Sequence, residues 1–218
     1  MKNLTVLLLA TALFAFVGCN KKNKSPEQLP KYKKKFRTQI ASFEKVKTET
    51  DTKVEDGVTM LTGIKDALET AKNVDKEFAS VYGKWEKVSG QVDDLEKEYT
   101  ALKTDAENLF GAMERQTASL RDPNTRGQLE KALRTTRTDY TETLNKTKQS
   151  IDDLRKLYDE AKDVIKALEV AVAMGEFQNI NESLASIESR VTDIMNQLTE
   201  TVDESKALYD EKIGNIGS

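Results

Sequence analysis

Ser42-Phe43-Glu44-Lys45 places an amine three residues after a hydroxyl. At that spacing a lysine can help a serine act as a nucleophile, but the companion motifs of such acyl-transfer sites are missing here. Asp51-Thr52-Lys53-Val54-Glu55-Asp56-Gly57 gathers carboxylates beside a glycine. Its carboxylates do not fall at the positions a calcium loop requires. Asp93-Asp94 and Asp152-Asp153 are paired acids, yet adjacent residues on a helix diverge by about 100° and cannot share one reacting atom. The chain has no His and one Cys. A Cys/His zinc site, a Ser-His-Asp triad and a Cys-His dyad therefore cannot be assembled. No disulfide can form within one chain. With 34 Lys+Arg against 37 Asp+Glu, the net charge is unlike that of a nucleic-acid binder. The residues point to a protein that is not an enzyme, with no metal, cofactor, small-molecule substrate or nucleic acid.

The one thiol available for chemistry is that of Cys19. Lys2 supplies a short positive region, and Leu4–Val17 is apolar apart from Thr5 and Thr11. Such a stretch is too short for a bilayer span and suits a signal segment. It ends in Phe16-Val17-Gly18-Cys19. This resembles the bacterial lipoprotein signal, in which the Cys is acylated and becomes the first residue of the mature chain. The resemblance implies cleavage of residues 1–18 and a lipid anchor on Cys19, each buried CH2 contributing about 0.8 kcal/mol. Asn20, rather than Asp, follows the Cys. By resemblance to the enterobacterial sorting rule, this favours the outer membrane, facing the periplasm.

Residues 19–30 read as a basic, flexible tether, with Pro26 and Pro30 and little apolar content. From it into the next segment run Lys21, Lys22, Lys24, Lys31, Lys33, Lys34, Lys35 and Arg37, against the single acid Glu27. Beside a lipid anchor, such charges can lie on anionic headgroups at about 1 kcal/mol each.

The rest must position these groups, and it reads as helix. Alternating steps of three and four from Phe78 to Leu120 meet an apolar residue at twelve of 13 positions, a coiled-coil repeat. The same steps give ten of 12 from Leu133 to Val172, eight of ten from Phe177 to Leu208, and eight of 11 from Phe36 to Ala71. The exceptions include Lys47, Thr50 and Gly57 in the first seam, Arg137 and Thr147 in the third, and Thr201 and Ser205 in the last. Gly57 and Gly63 each lower helix propensity by about 1 kcal/mol relative to Ala, which predicts a bend near 55–63. Asp122-Pro123-Asn124-Thr125 predicts a turn, with Thr125 or Asn124 capping the next helix. Met174-Gly175-Glu176 predicts a second break. The phase slip between 71 and 78 predicts a third, with Asp75 as cap. Trp85, Tyr99, Tyr140 and Tyr158 fall on the seams and are expected in the core.

These breaks leave four helices, at about 31–72, 76–121, 126–173 and 177–212, within a bundle spanning 31–213. The predicted fold is all-α, an elongated antiparallel coiled-coil-like helical bundle. Residues 176–213 hold nine acids and three bases; residues 121–174 are nearly balanced, with 11 bases and ten acids.

Residues 78–205 resemble an uncharacterised family of bacterial helical lipoproteins, domain of unknown function 2959. The resemblance rests on Leu109-Phe110, Leu120-Arg121, the spaced Leu133, Thr136, Tyr140 and Leu144, and Asp163, Ile165 and Leu168. Ile180, Leu184, Ile187, Val191 and Ile194 continue it in similar spacing. Where that family carries a Lys-His-Asn-Leu-Asn-like stretch, this chain has Glu169-Val170-Ala171-Val172-Ala173. The resemblance implies an envelope lipoprotein and assigns no functional residue. The expectation is a membrane-tethered scaffold, spacer or partner-binding module that engages an envelope protein or a second copy. Two alternatives stand beside it: a membrane-organising protein that binds anionic lipid through its basic N-terminal end, and a surface-exposed ligand-binding lipoprotein.

Overall fold

A computed structural model of the chain describes residues 28–70, 73–174 and 181–214. Among them there is no strand: the fold is an all-α helical bundle. Helix α1 is Gln28–Thr62, α2 is Ile64–Thr70, α3 is Val74–Ala118, α4 is Pro123–Met174 and α5 is Asn181–Leu208. A π-helical turn, Tyr209–Gly214, continues α5. The signal segment, Cys19, Lys21, Lys22 and Lys24 lie outside the described residues, as do Phe177 and Ile180.

Three boundaries differ from expectation, each for a local reason. Helix α1 starts at Gln28, so Leu29 and Pro30 belong to its first turn and not to the tether. Proline is tolerated there because first-turn N–H groups have no helical acceptor. Helix α3 is capped by Asn73, whose Oδ1 accepts from the Lys76 N–H at 3.1 Å; Asp75 is already helical. Helix α4 is capped by Asp122, whose Oδ2 accepts from the Thr125 N–H at 2.8 Å, with Pro123 as the first helical residue. Gly63 interrupts the helix in name only. Its N–H donates to the Thr59 carbonyl, and its own carbonyl accepts from the Ala67 N–H, each at 3.1 Å.

The Asp122 cap makes a pH prediction. Hydrogen bonds from the Thr125 hydroxyl and then the Thr125 N–H hold its carboxyl below the usual carboxylate range. A folded-state pKa below the unfolded one contributes stability present above the unfolded value, about 3.9, and lost as pH falls through the folded value. Asp122→Asn keeps a capping oxygen but removes the titration. Its melting temperature is therefore expected to fall less between pH 5 and pH 2 than that of the natural chain. Parallel curves would show that the cap does not titrate.

The helices divide between two compact units. Of the described residues, one consists of 28–41, 101–144 and 202–214; the other of 42–70, 73–100, 145–174 and 181–201. In the second unit, partner numbers fall on one helix as they rise on the next. Ser42 meets Glu98, Asp56 meets Lys84 and Met60 meets Ser80. Ser150 meets Gln197 and Glu160 meets Arg190. Neighbouring helices are therefore antiparallel. In the first unit the order is the same: Phe110 packs on Tyr140 while Glu114 pairs with Arg137, and Lys33 reaches Gly214 while Phe36 packs on Tyr209.

The seams are the core. On α1 and α2, all ten seam positions from Phe36 to Leu68 are buried, including Lys47, Thr50 and Gly57. On α3, all ten from Phe78 to Leu109 are buried. On α4 the buried stripe is wider than expected. Thr143, Ser150 and Leu157, seven residues apart, join the seam, while Arg137 is exposed and Tyr158 half-buried. Three core positions per heptad suit a helix flanked by two neighbours. On α5 the seam holds to Ser205 and then shifts, burying Tyr209 and Ile213 in place of Leu208. The wider π turn brings residues four apart onto one face, so the seam does not fade but lengthens its period.

Candidate functional site

The two units differ in what their side chains can do. In the second, most chemistry-bearing residues serve packing. The Ser42 hydroxyl donates to Glu98 at 2.9 Å, while Lys45 lies against Glu49 at 3.8 Å. The Ser-x-x-Lys spacing therefore does not bring nucleophile and base together. In the stretch 51–57, Asp51 faces Lys47 and Asp56 faces Lys84. Gly57 lies under Trp85: a Cβ there would stand 3.2 Å from Val88 Cγ2 and 3.5 Å from Trp85 Cε2. The paired acids split as helix geometry requires. Asp93 binds Arg155 at 2.6 Å; Asp152 binds Lys148, and Asp153 binds Lys156 at 3.0 Å. Among the described residues, no group of three or more Cys, Asp or Glu is placed to hold a metal ion.

The buried polar residues of the second unit are tolerated for one reason. Lys47, Thr50, Thr147, Ser150 and Thr201 are buried polar groups of the second unit. Lys47 donates to the Thr199 hydroxyl, while Thr50 and Ser150 donate to carbonyls of their own helices. Buried hydroxyls satisfied this way cost little. A buried lysine held by a hydroxyl and a partly exposed Asp51 adds little stability. It can discriminate between registers, because a slip would leave its ammonium without these partners.

The first unit carries an aromatic cluster and, among the described residues, an excess of cations over acids. Phe36 packs edge-on to Tyr140 at 5.2 Å and against Tyr209 at 5.7 Å. The Tyr209 hydroxyl donates to the Lys33 carbonyl at 3.3 Å. Lys33 donates from Nζ to the Gly214 carbonyl at 3.1 Å; burial holds its ammonium below the usual lysine range. Burial likewise raises the Tyr209 hydroxyl. Lys35 donates to Asp105 at 2.6 Å, and Asp105 is a buried acid.

The five expected basic residues within the described chain thus separate by role. Lys33 and Lys35 tie α1 to the rest of the unit. Lys31, Lys34 and Arg37 are exposed and make no ion pair among the described residues. Sequence reasoning missed a second group of cations. Arg115, Arg121, Arg126, Lys131 and Arg134 gather at the α3–α4 hairpin tip. Averaging charge over 121–174 hid all of them but Arg115 behind the acids farther along α4. Counted by unit, the described residues hold 14 bases and 11 acids in the first unit, but 15 bases and 24 acids in the second. Charge is segregated by unit as well as by helix.

A surface depression of 330 Å³ between α4 and α5 is lined by Glu160, Val164, Ser183, Ile187 and Arg190. Glu160 and Arg190 already satisfy each other across it. No helix among the described residues is long and apolar enough to cross a membrane. Comparisons with protein-family models, curated proteins and solved structures return no match.

Proposed function

We propose that this chain is a lipid-anchored, non-enzymatic protein of the bacterial cell envelope, a helical scaffold or spacer that engages an envelope partner or a second copy. The observation that carries the reading is the placement of the only cysteine. Cys19 closes the apolar leader at the position where lipidation needs it. The use of Ser42, Asp51, Asp56 and Trp85 in packing contacts supports the non-enzymatic part. Two units of opposite charge excess offer distinct electrostatic faces for partners. The favoured location is the outer membrane, facing the periplasm.

The test is intact-mass and peptide analysis of the full chain expressed in a bacterium. The expected product begins at Cys19, carries fatty acyl mass and fractionates with the outer membrane, and Cys19→Ala abolishes the acylation. A product that keeps residues 1–18 with an unmodified Cys19 would overturn the anchoring reading. If anchoring holds, cross-linking in whole cells should trap one recurrent envelope protein or a second copy.

A further inference from the structure

The α3–α4 hairpin tip combines three properties. First, no residue from 118 to 132 is buried; this stretch has no core to serve. Second, its apolar seam outruns its cover. Met113, Leu120 and Leu129 continue the apolar pattern of their helices but are only half-buried, whereas Leu109 and Leu133 are buried. Third, its charge is cationic. Asp122 is spent capping α4, and Glu130 lies 3.9 Å from Arg126. Arg115, Arg121, Lys131 and Arg134 are exposed and make no ion pair among the described residues. Half-exposed leucines among unpaired arginines suit an interface with an apolar layer beneath anionic groups.

The orientation of the tip agrees with this. Within the first unit, α1 runs antiparallel to the π turn, as Lys33 with Gly214 and Phe36 with Tyr209 show. In the same unit α4 is antiparallel to α5: Tyr140 and Tyr209 meet on Phe36, while Thr143, further along α4, donates to Glu204, which precedes Tyr209. Helices α1 and α4 therefore point the same way, and their first residues, Gln28 and Pro123, lie at one end of the unit. The chain preceding Gln28 contains Cys19. Exposed Lys31 and Lys34 add two cations at the same end.

We infer that the α3–α4 hairpin tip, Arg115–Arg134, seats on the anionic phospholipid headgroups of the bilayer that holds the anchor, Leu120 and Leu129 entering the interface and the arginines binding phosphates. The inference rests on the anchoring proposed above, but it is separable from it by experiment. A tip held this way orients the chain on the membrane instead of leaving it to swing on a tether.

The experiment is hydrogen exchange of the full chain on vesicles of neutral phosphatidylcholine and on vesicles that also contain phosphatidylglycerol. On anionic vesicles at low ionic strength, amides 119–132 are expected to exchange at least about tenfold more slowly than on neutral ones. The difference is expected to vanish near 1 M salt, where screening is complete within a few ångströms. It is also expected to vanish in the triple variant Arg121→Glu, Lys131→Glu, Arg134→Glu. These positions are exposed, and unchanged exchange across α3 residues 85–95, where Trp85, Val88, Val92 and Leu95 are buried, verifies that the variant is folded.

Equal exchange of 119–132 on both vesicle types overturns the inference. Protection that ignores lipid charge but grows with protein concentration also overturns it, because a second copy then covers the tip. Flotation on neutral vesicles reads the anchor separately. A chain that fails to float there, yet shows the tip protected once anionic vesicles are added, removes the anchor and keeps the inference.

Discussion

Leu154→Asp is expected to unfold the helical bundle near room temperature or leave it barely folded. Leu154 is 1% exposed. Its neighbour Arg155 points away toward Asp93 and Glu96, so it is already engaged. An aspartate at 154 loses the apolar contacts of leucine and places an uncompensated charge in the seam. That charge alone costs about 3–5 kcal/mol, against a total stability of about 5–15 kcal/mol. Leu95→Asp on α3 should behave alike, since Leu95 is fully buried. Leu157→Asp separates the observed core from a strict two-per-heptad seam. That seam places Tyr158 inside and Leu157 outside, whereas Leu157 is the fully buried residue. All three variants are expected to lose most of their helical circular dichroism at temperatures where the natural chain keeps it. Unchanged melting of Leu154→Asp and Leu95→Asp would mean the register is wrong; unchanged melting of Leu157→Asp alone would restore the narrower seam.

Much of this architecture is legible because heptad spacing is a periodic signal repeated over many turns. Single exceptions such as Lys47 or Thr50 do not erase it, and the structure buries them in phase with their neighbours. What the sequence hides is set by one residue at a time or by tertiary proximity. Asn73 and Asp122 cap their helices rather than Asp75 and Thr125. Several polar residues stand at each break, and the backbone path chooses among them. The added row of Thr143, Ser150 and Leu157 is decided by where two neighbouring helices stand, which spacing along α4 alone does not encode. The cationic tip was visible as residues but not as a group, because Arg115 and Arg121 belong to one predicted helix end and Lys131 and Arg134 to the next. Only the hairpin joins them. Cys19 shows the reverse case: its proposed acylation rests wholly on the sequence, since it lies outside the described residues.

Gly57 is the residue whose sequence reading changes most, and it supports the second large effect. Its lack of a side chain suggested a weak point in α1, yet the helix is unbroken there. The glycine instead makes room for Trp85, which is 1% exposed and packs 6.3 Å from the Tyr158 ring. Trp85→Ala is expected to cost about 3–5 kcal/mol, the usual range for emptying a large aromatic site. Trp85→Phe should cost less, because the indole N–H has no hydrogen-bond partner among the described residues, so the smaller ring loses volume without orphaning an acceptor. Gly57→Ala sets two opposed terms of similar size: a helix-propensity gain of about 1 kcal/mol and the tight 3.2 Å approach to Val88. Its net effect should be small. Gly57→Leu cannot be absorbed and should cost about 1–3 kcal/mol through overpacking. In the Trp85→Ala background, the same leucine enters space the indole vacated. The double variant should therefore be more stable than the two single costs predict, with a coupling of about 0.5–3 kcal/mol. Urea unfolding followed by circular dichroism measures all four corners of the cycle. Trp85 is the chain's only tryptophan, so a red-shifted emission in Gly57→Leu would independently report its displacement from the core. Strict additivity with unshifted emission would show that the glycine and the indole do not share this space, and the packing assigned to Gly57 would have to be abandoned.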